Sequence, residues 1–93
     1  MTRYLIKATR LDGPHAGTSY LLRKGGYVTH DSAPQSADTT YSTRGYALRT
    51  CHQLKYENTI DVRYDEWMAE HTVNPNRQRI SFSESYEPYP VEV

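Results

Sequence analysis

Five side chains of this sequence are cysteine or histidine, the types most often found as zinc ligands,. They are Cys51, His15, His30, His52 and His71, and they are widely separated along the chain except for Cys51 and His52. Zinc sites draw ligands from short, recognisable spacings, and none is present. Adjacent residues of a helix point about 100° apart, so Cys51 and His52 cannot act as a pair. We expect no metal and no cofactor, with Cys51 buried in the core and His52 solvated.

Carboxylates and glycines do not form a known catalytic pattern either. Asp65 and Glu66 are adjacent, which is typical of a solvated helix edge. The sequence contains neither G-x-S-x-G nor H-E-x-x-H,. Gly25-Gly26 lacks the surroundings of a phosphate-binding loop and has a simpler use as a turn. The sequence therefore predicts a protein that is not an enzyme.

Aromatic side chains are the most unusual part of the composition. Nine tyrosines, one tryptophan and one phenylalanine lie among 93 residues. Tyrosine is enriched at protein interfaces because it offers a large contact area with few rotatable bonds. Tyr64 and Trp67 are the predicted interface anchors, since large aromatic residues dominate binding energies. A competing interpretation places them in the hydrophobic seam of a helix, and for Trp67 this interpretation is favoured.

Basic residues form the second part of the predicted interface. Arg23, Lys24 and Tyr27 surround the Gly-Gly pair, and Arg44 lies near a predicted helix start. These four residues join the aromatic anchors as predicted protein-binding residues. The alternative is direct binding of nucleic acid, because basic side chains that alternate with tyrosines on a sheet can hold phosphates and stack bases. The residues assigned to this alternative are Arg3, Lys7, Arg10, Arg23 and Lys24.

The net charge is zero but the charges are divided along the chain. The count is +5 through Tyr56 and −5 from Glu57 onward. A neutral chain is neither a DNA-coating protein nor an acidic DNA mimic, and it has little electrostatic attraction for nucleic acid at physiological salt. The favoured interpretation is that the halves complement each other within the fold; the other is that they present oppositely charged faces to partners.

Size and composition limit the organisation of the molecule. A chain of 93 residues predicts a single domain, residues 1–93, with one thin core. A single cysteine excludes an intrachain disulfide and fits a reducing cytoplasm. The longest apolar runs are far shorter than the roughly 20 residues of a membrane span. We expect a cytoplasmic protein without a membrane segment, and a homo-oligomer is left open.

Alternating residues predict an N-terminal hairpin or three-stranded meander. Residues 3–10 form the first predicted strand, with Tyr4, Ile6 and Ala8 on one face,. Residues 18–24 form the second. The Gly-Gly pair then predicts a type I′ turn into a short third strand, residues 27–30. In that register Lys24 faces Tyr27 and Leu22 faces Thr29.

Helical spacing follows a polar loop at residues 31–40. Ser42 or Thr43 is the predicted cap of a helix that runs to about Tyr56 and stops at Asn58, with Ala47, Cys51 and Leu54 on its buried face,. Residues 59–73 fit either a second helix or a strand, and the helix is favoured because residues 74–76, Asn-Pro-Asn, would end it. The rival is a hairpin through residues 74–77.

The C-terminal part completes the expected fold. Residues 79–83 alternate, which predicts a last strand with Ile80 and Phe82 pointing inward,. Residues 84–93 contain two prolines and are expected to form a loose tail. The predicted fold class is α+β: a small antiparallel sheet, made of the hairpin or meander plus a C-terminal strand, packed against one or two helices.

The sequence resembles small accessory proteins of bacteriophages and other mobile elements. The resemblance rests on residues 4–8 (Tyr-Leu-Ile-Lys-Ala), 24–28 (Lys-Gly-Gly-Tyr-Val) and 41–47 (Tyr-Ser-Thr-Arg-Gly-Tyr-Ala). Some of these proteins are anti-CRISPR inhibitors, which act stoichiometrically by blocking the DNA-binding surface of a nuclease complex or its conformational change. The resemblance implies a bacterial host and a partner such as a CRISPR nuclease. It transfers no functional residue, and the neutral charge departs from inhibitors that imitate DNA.

Three functions follow in order of preference. The leading hypothesis is a non-enzymatic inhibitor or modulator that binds a host protein or protein–nucleic acid complex. The second is a small nucleic-acid-binding or regulatory domain that uses the basic, tyrosine-containing hairpin. The third is a structural or assembly subunit.

Overall fold

The computed structural model describes residues 1–71 and 79–93 of the chain. Within these residues the elements are β1 (Thr2–Arg10), β2 (Ser19–Leu22), β3 (Val28–Thr29), helix α1 (Arg44–His71) and β4 (Glu84–Glu92). The strands form an antiparallel sheet in the order β3-β2-β1-β4, and α1 contacts β1 and β4. The predicted α+β class is confirmed. None of the helical residues in these two ranges builds a segment apolar and long enough for a bilayer span.

β1 is a central strand whose alternating side chains separate two faces of the sheet. Ile6 and Ala8 point toward α1 and are buried in one cluster with Ala47 and Cys51. Leu5 points to the opposite face and is also fully buried,. Small residues on the helix allow α1 to lie close to β1, so the core is thin, as its size predicts.

The hairpin between β2 and β3 is one residue out of the predicted register. Leu22 pairs with Val28 instead of Thr29. Lys24 does not face Tyr27, because its N–H donates to Thr39 O at 2.8 Å and leaves the strand pair. The connection is therefore a three-residue loop in place of the predicted two-residue type I′ turn. A shift of one residue moves each side chain of the shorter strand to the other face.

Helix α1 continues without a break from Arg44 to His71. Its predicted cap is confirmed, because Thr43 Oγ1 accepts the N–H of Tyr46 at 3.1 Å,. The helical interpretation beyond Thr59 is also confirmed as far as His71. Residues 72–73, the predicted helix end at 74–76 and the rival hairpin through 74–77 lie outside the described residues.

The predicted helix stop at Asn58 is wrong. Asn58 is 9% exposed, and both ends of its amide are used. Its Nδ2 donates to Phe82 O at 2.8 Å, and its Oδ1 accepts the N–H of Glu84 at 3.0 Å. Asparagine can end a helix because it readily adopts the left-handed backbone conformation just beyond the last turn. Here Asn58 does not have a positive φ, and its side chain is bonded to a distant segment, so the helix continues through it.

The C-terminal strand is present, but it lies at Glu84–Glu92 and not at residues 79–83 as predicted. Residues 79–83, predicted as the strand, are irregular, and residues 84–93, expected to be a loose tail, contain β4, which pairs along the full length of β1. The reason is that backbone N–H groups of residues 79–83 already form hydrogen bonds with side chains. The N–H groups of Ile80 and Ser81 bond to Asp65, and that of Ser83 bonds to Asp12, so they cannot form a strand ladder. Ile80 is 78% exposed, not inward.

The two prolines of β4 fit because of the edge they occupy. Pro88 lies opposite Ile6 and Pro90 opposite Tyr4. Hydrogen bonds to β1 fall on alternate pairs, and the bond from Val93 N to Met1 O at 3.0 Å places them on the odd-numbered residues,. Both proline nitrogens therefore face away from β1. An outer edge that lacks these donors also disfavours the addition of a further strand.

Two partly buried tyrosines predict a loss of stability in alkaline solution. Tyr20 donates a hydrogen bond to the Glu84 carboxylate. Burial, followed by the charge of Glu84, raises the pKa of Tyr86 to about 12, and burial followed by the Glu84 hydrogen bond raises the pKa of Tyr20 above its ordinary value. Folding therefore favours the neutral phenols. Their contribution is complete below the unfolded pKa near 10 and is lost as the pH rises through the folded pKa.

This pH dependence can be measured by urea unfolding. We expect the urea concentration at the unfolding midpoint to decrease as the pH is raised from about 9 to about 11. In Tyr86→Phe the fall is expected to be smaller, because one ionisable phenol is gone while the ring remains. An equally steep fall in the variant would contradict this assignment for Tyr86.

Candidate functional site

One end of the molecule brings together most of the predicted protein-binding residues. Arg23, Lys24 and Tyr27 lie on the β2–β3 loop, next to the start of α1. The structure adds Tyr46, which sequence reasoning missed, to the predicted Arg44. All five residues are exposed. Arg23, Lys24, Tyr27 and Tyr46 are called the hairpin-end surface, and Arg44 is the first residue of α1, at the same end of the molecule.

Cations and aromatic rings are already paired on the hairpin-end surface. Arg23 Cζ lies 5.1 Å from the centroid of the Tyr27 ring, and Lys24 Nζ lies 5.6 Å from that of Tyr46. Both distances are within the range of cation–π attraction. Tyr27 is 64% exposed and Tyr46 47% exposed, so each ring keeps a large area available for contact.

The hairpin-end surface is held in place by Tyr41. Tyr41 is 5% exposed, and burial raises the pKa of its hydroxyl. It exchanges two backbone hydrogen bonds with Tyr4, and its ring centroid lies 5.0 Å from that of Tyr46. The bond from Lys24 N to Thr39 O fixes the loop from the other side. The rings and cations are thus positioned before any partner binds.

The cations of the hairpin-end surface are not used in ion pairs. In residues 1–71 and 79–93, none of Arg23, Lys24 and Arg44 forms an ion pair. Arg23 and Lys24 therefore lie together at this end of a chain whose net charge is zero, with Arg44 at the start of α1. This arrangement suits carboxylates or phosphates on a partner.

Tyr64 and Trp67 lie far along α1 on its exposed side. They are 62% and 52% exposed, so the favoured interpretation of Trp67 as part of a hydrophobic seam is wrong. The Trp67 ring stacks on His71 with centroids 4.4 Å apart and lies 6.3 Å from Tyr64. Tyr56 and Ile60 continue the same side, at 64% and 46% exposure. These five residues are called the helix stripe.

The buried side of α1 has a different composition. It is formed by Ala47, Cys51, Asn58, Val62 and Asp65. Small and polar residues here allow close approach to the sheet and the side-chain bonds that hold residues 80–84. In the second half of α1 the larger side chains lie on the opposite side, which is why hydrophobic spacing wrongly favoured a buried Trp67.

The residues assigned to nucleic-acid binding are not brought together. Arg3 is used within the fold, where its Nε donates to Thr40 Oγ1 at 2.6 Å and its Nη2 to Ala37 O at 3.1 Å. Lys7 and Arg10 have opposite parity in β1 and so point to opposite faces. Only Arg23 and Lys24 lie next to each other on an exposed surface.

A groove lies on the sheet face opposite α1. It has a volume of about 400 Å³, and its lining includes Lys7, Leu21, Thr29, His30 and Tyr89. Lys7 therefore lines this groove instead of extending the hairpin-end surface.

Cys51 and His52 lie where the sequence predicts them. Cys51 is 2% exposed, and burial raises the pKa of its thiol, which favours the unreactive protonated form. His52 is exposed. Across the described ranges, no three His, Cys, Asp or Glu side chains are placed to hold a metal ion.

Comparisons of this chain with protein-family models, with curated proteins and with solved structures found no match.

Proposed function

We propose that this protein is a non-enzymatic modulator that binds a protein partner through the hairpin-end surface. The observation that carries the proposal is the pair of preformed contacts between Arg23 and Tyr27 and between Lys24 and Tyr46, at 5.1 and 5.6 Å. Side chains already held in one arrangement lose little conformational freedom on binding. Exposed tyrosines with adjacent cations combine contact area with charge recognition.

The partner's surface is acidic with an apolar margin. Arg23 and Lys24, with Arg44 at the start of α1, supply three cations that form no ion pair with a described residue. An arginine can bind a carboxylate through two parallel hydrogen bonds. The rings of Tyr27 and Tyr46 then contact the apolar margin, which removes water from the charged contacts and strengthens them.

A protein partner is favoured over nucleic acid by the distribution of charge. A nucleic-acid strand needs a continuous basic track along its phosphates. Arg3 is engaged with Thr40, and Lys7 and Arg10 lie on different faces. Arg23 and Lys24 remain, and they form a small patch instead of a continuous track.

The specific form of the proposal follows the resemblance to phage inhibitors. The partner is then a nuclease effector complex in a bacterial host. Such complexes bind DNA through basic surfaces, which a basic patch does not complement. The hairpin-end surface instead suits an acidic region of the complex, so the mode of action is interference with a conformational change.

The test is a reconstituted binding measurement. Tagged protein captures partners from nuclease-treated bacterial lysate, and a captured protein, or a purified nuclease effector complex, is then titrated directly. We expect Arg23→Glu with Lys24→Glu to weaken binding at least about tenfold. Tyr27→Ala is expected to weaken it by a similar factor. Arg63→Glu, an exposed charge reversal on α1, is the control and is expected to leave binding unchanged.

Two results would count against this proposal. If the double charge reversal binds as well as the native protein while remaining folded by circular dichroism, the hairpin-end surface is not the interface. If capture disappears on nuclease treatment and the protein binds a labelled oligonucleotide through Arg23 and Lys24, the nucleic-acid alternative is correct.

A further inference from the structure

The helix stripe is a second exposed surface that the proposed function does not use. α1 has 28 residues, which corresponds to a length of about 42 Å. At about 100° per residue, Tyr56, Ile60 and Trp67 project within a narrow arc opposite the buried residues. Large side chains exposed in such a row are typical of a helix that pairs with another helix.

The aromatic residues of the helix stripe are spaced almost evenly on either side of Ile60. Tyr56 and Tyr64 lie four residues to either side of it, and Gln53 and Trp67 lie seven residues to either side. A two-fold axis through Ile60 would therefore bring each tyrosine of one copy against the other tyrosine of the second. A surface that meets itself in this way forms a closed pair.

The charges of α1 are arranged with a strong polarity. Residues 44–56 contain three basic side chains and no acid, while residues 57–71 contain five acids and one arginine, for a net charge of −4. This polarity opposes the helix dipole, which favours acids at the N-terminal end and bases at the C-terminal end. An isolated helix would gain nothing from this arrangement.

We infer that the helix stripe pairs with the same stripe of a second copy, with the two helices antiparallel and Ile60 at the two-fold axis. The antiparallel direction places the basic half of each helix against the acidic half of the other, for example Arg49 near Glu70 of the second copy. A parallel pair would place like charges together along its whole length. Charge and symmetry thus select one occupant and one direction.

Self-pairing leaves the hairpin-end surface free. In the antiparallel pair, residues equally far along the sequence from Ile60 in the two directions lie opposite each other. Tyr46 is further along the sequence from Ile60 than His71 is, so it lies beyond the end of the paired stripe. The dimer would present two hairpin-end surfaces, one at each end of the helix pair. Two linked copies bind a partner that has two sites more tightly than one copy does.

Cysteine cross-linking tests both the pairing and its direction. Under mild oxidation, Ile60→Cys is expected to form a disulfide-linked dimer, because each introduced thiol meets its own copy. Gln53→Cys is expected not to, because the two copies of that position are about 21 Å apart in the antiparallel pair, beyond the reach of a disulfide. The native chain is the control, since Cys51 is buried. Equal cross-linking of both variants, or of neither, would overturn the proposal.

Sedimentation equilibrium provides a test without thiols. The native chain is expected to show a monomer–dimer equilibrium, and Ile60→Arg is expected to raise the dissociation constant at least about tenfold by placing two cations at the axis. Ile80→Arg is the matched control, because Ile80 is 78% exposed and lies outside α1. A native chain that stays monomeric at its highest soluble concentration would overturn the inference, even if Ile60→Arg abolished the capture of another protein. Neither result depends on the partner of the hairpin-end surface.

Discussion

Replacing Asn58 with alanine is expected to lower the free energy of unfolding by about 2 to 4 kcal/mol. The side chain is buried in the middle of α1 and joins it to the start of β4. Alanine would leave the carbonyl of Phe82 and the N–H of Glu84 without the bonds they now make to the amide. Each buried polar group left unpaired costs about 1 to 3 kcal/mol.

Urea unfolding followed by circular dichroism measures this loss. Asn58→Asp is a useful second variant, because a carboxylate can still accept the N–H of Glu84 but faces the Phe82 carbonyl with an oxygen. It is expected to be at least as unstable as Asn58→Ala at neutral pH. Gln53→Ala removes an exposed amide of the same helix and is expected to change stability by less than about 0.5 kcal/mol. A similarly small change for Asn58→Ala would contradict the role of Asn58.

Gly13→Ala is expected to destabilise the fold by about 2 to 4 kcal/mol. Gly13 has a φ of +82°, a conformation that disfavours any side chain. The Phe82 ring also occupies the position that a Cβ would take. Both the backbone strain and the steric contact must be relieved, and Phe82 is held by the neighbouring bond from Ser83 N to Asp12 at 2.9 Å.

Gly17→Ala is a control that separates backbone strain from steric contact with Phe82, the two costs expected for Gly13→Ala. Gly17 has a similar φ of +89°, but nothing lies within 4 Å of its Cβ position. It is expected to show only the backbone cost, of about 1 kcal/mol. Combining Gly13→Ala with Phe82→Leu is expected to recover part of the loss, relative to Phe82→Leu alone. Equal unfolding free energies for the two alanine variants would show that the Phe82 contact carries no cost.

Local patterns were sufficient for the elements whose cause is local. Alternation along β1 predicted the strand and the face that carries Ile6 and Ala8. The hydroxyl of Thr43 predicted the helix start, because a cap acts within one turn. The burial of Cys51 followed from helical spacing. Each of these features depends on residues a few positions apart.

Long-range contacts decided the features that were predicted wrongly. Asn58 is predicted as a helix stop from its local sequence, but its amide forms hydrogen bonds to residues 82 and 84, more than twenty positions away. Residues 79–83 alternate like a strand, but their N–H groups are taken by Asp65 and Asp12. The two prolines led to the prediction of a loose tail, because nothing in the local sequence shows that their nitrogens would lie on the outer edge of β4.

The candidate surfaces divide in the same way. Composition predicts that tyrosines and cations carry binding, and the neighbourhood of the Gly-Gly pair predicts Arg23, Lys24 and Tyr27 among them. Only the tertiary structure placed Tyr46 beneath Lys24, removed Arg3 into the fold and turned Trp67 outward. The type of a side chain is a property of the sequence. Which side chains share a surface depends on how β1 pairs with strands from both ends of the chain and on which side of α1 lies against them, and neither is encoded within a few neighbouring residues.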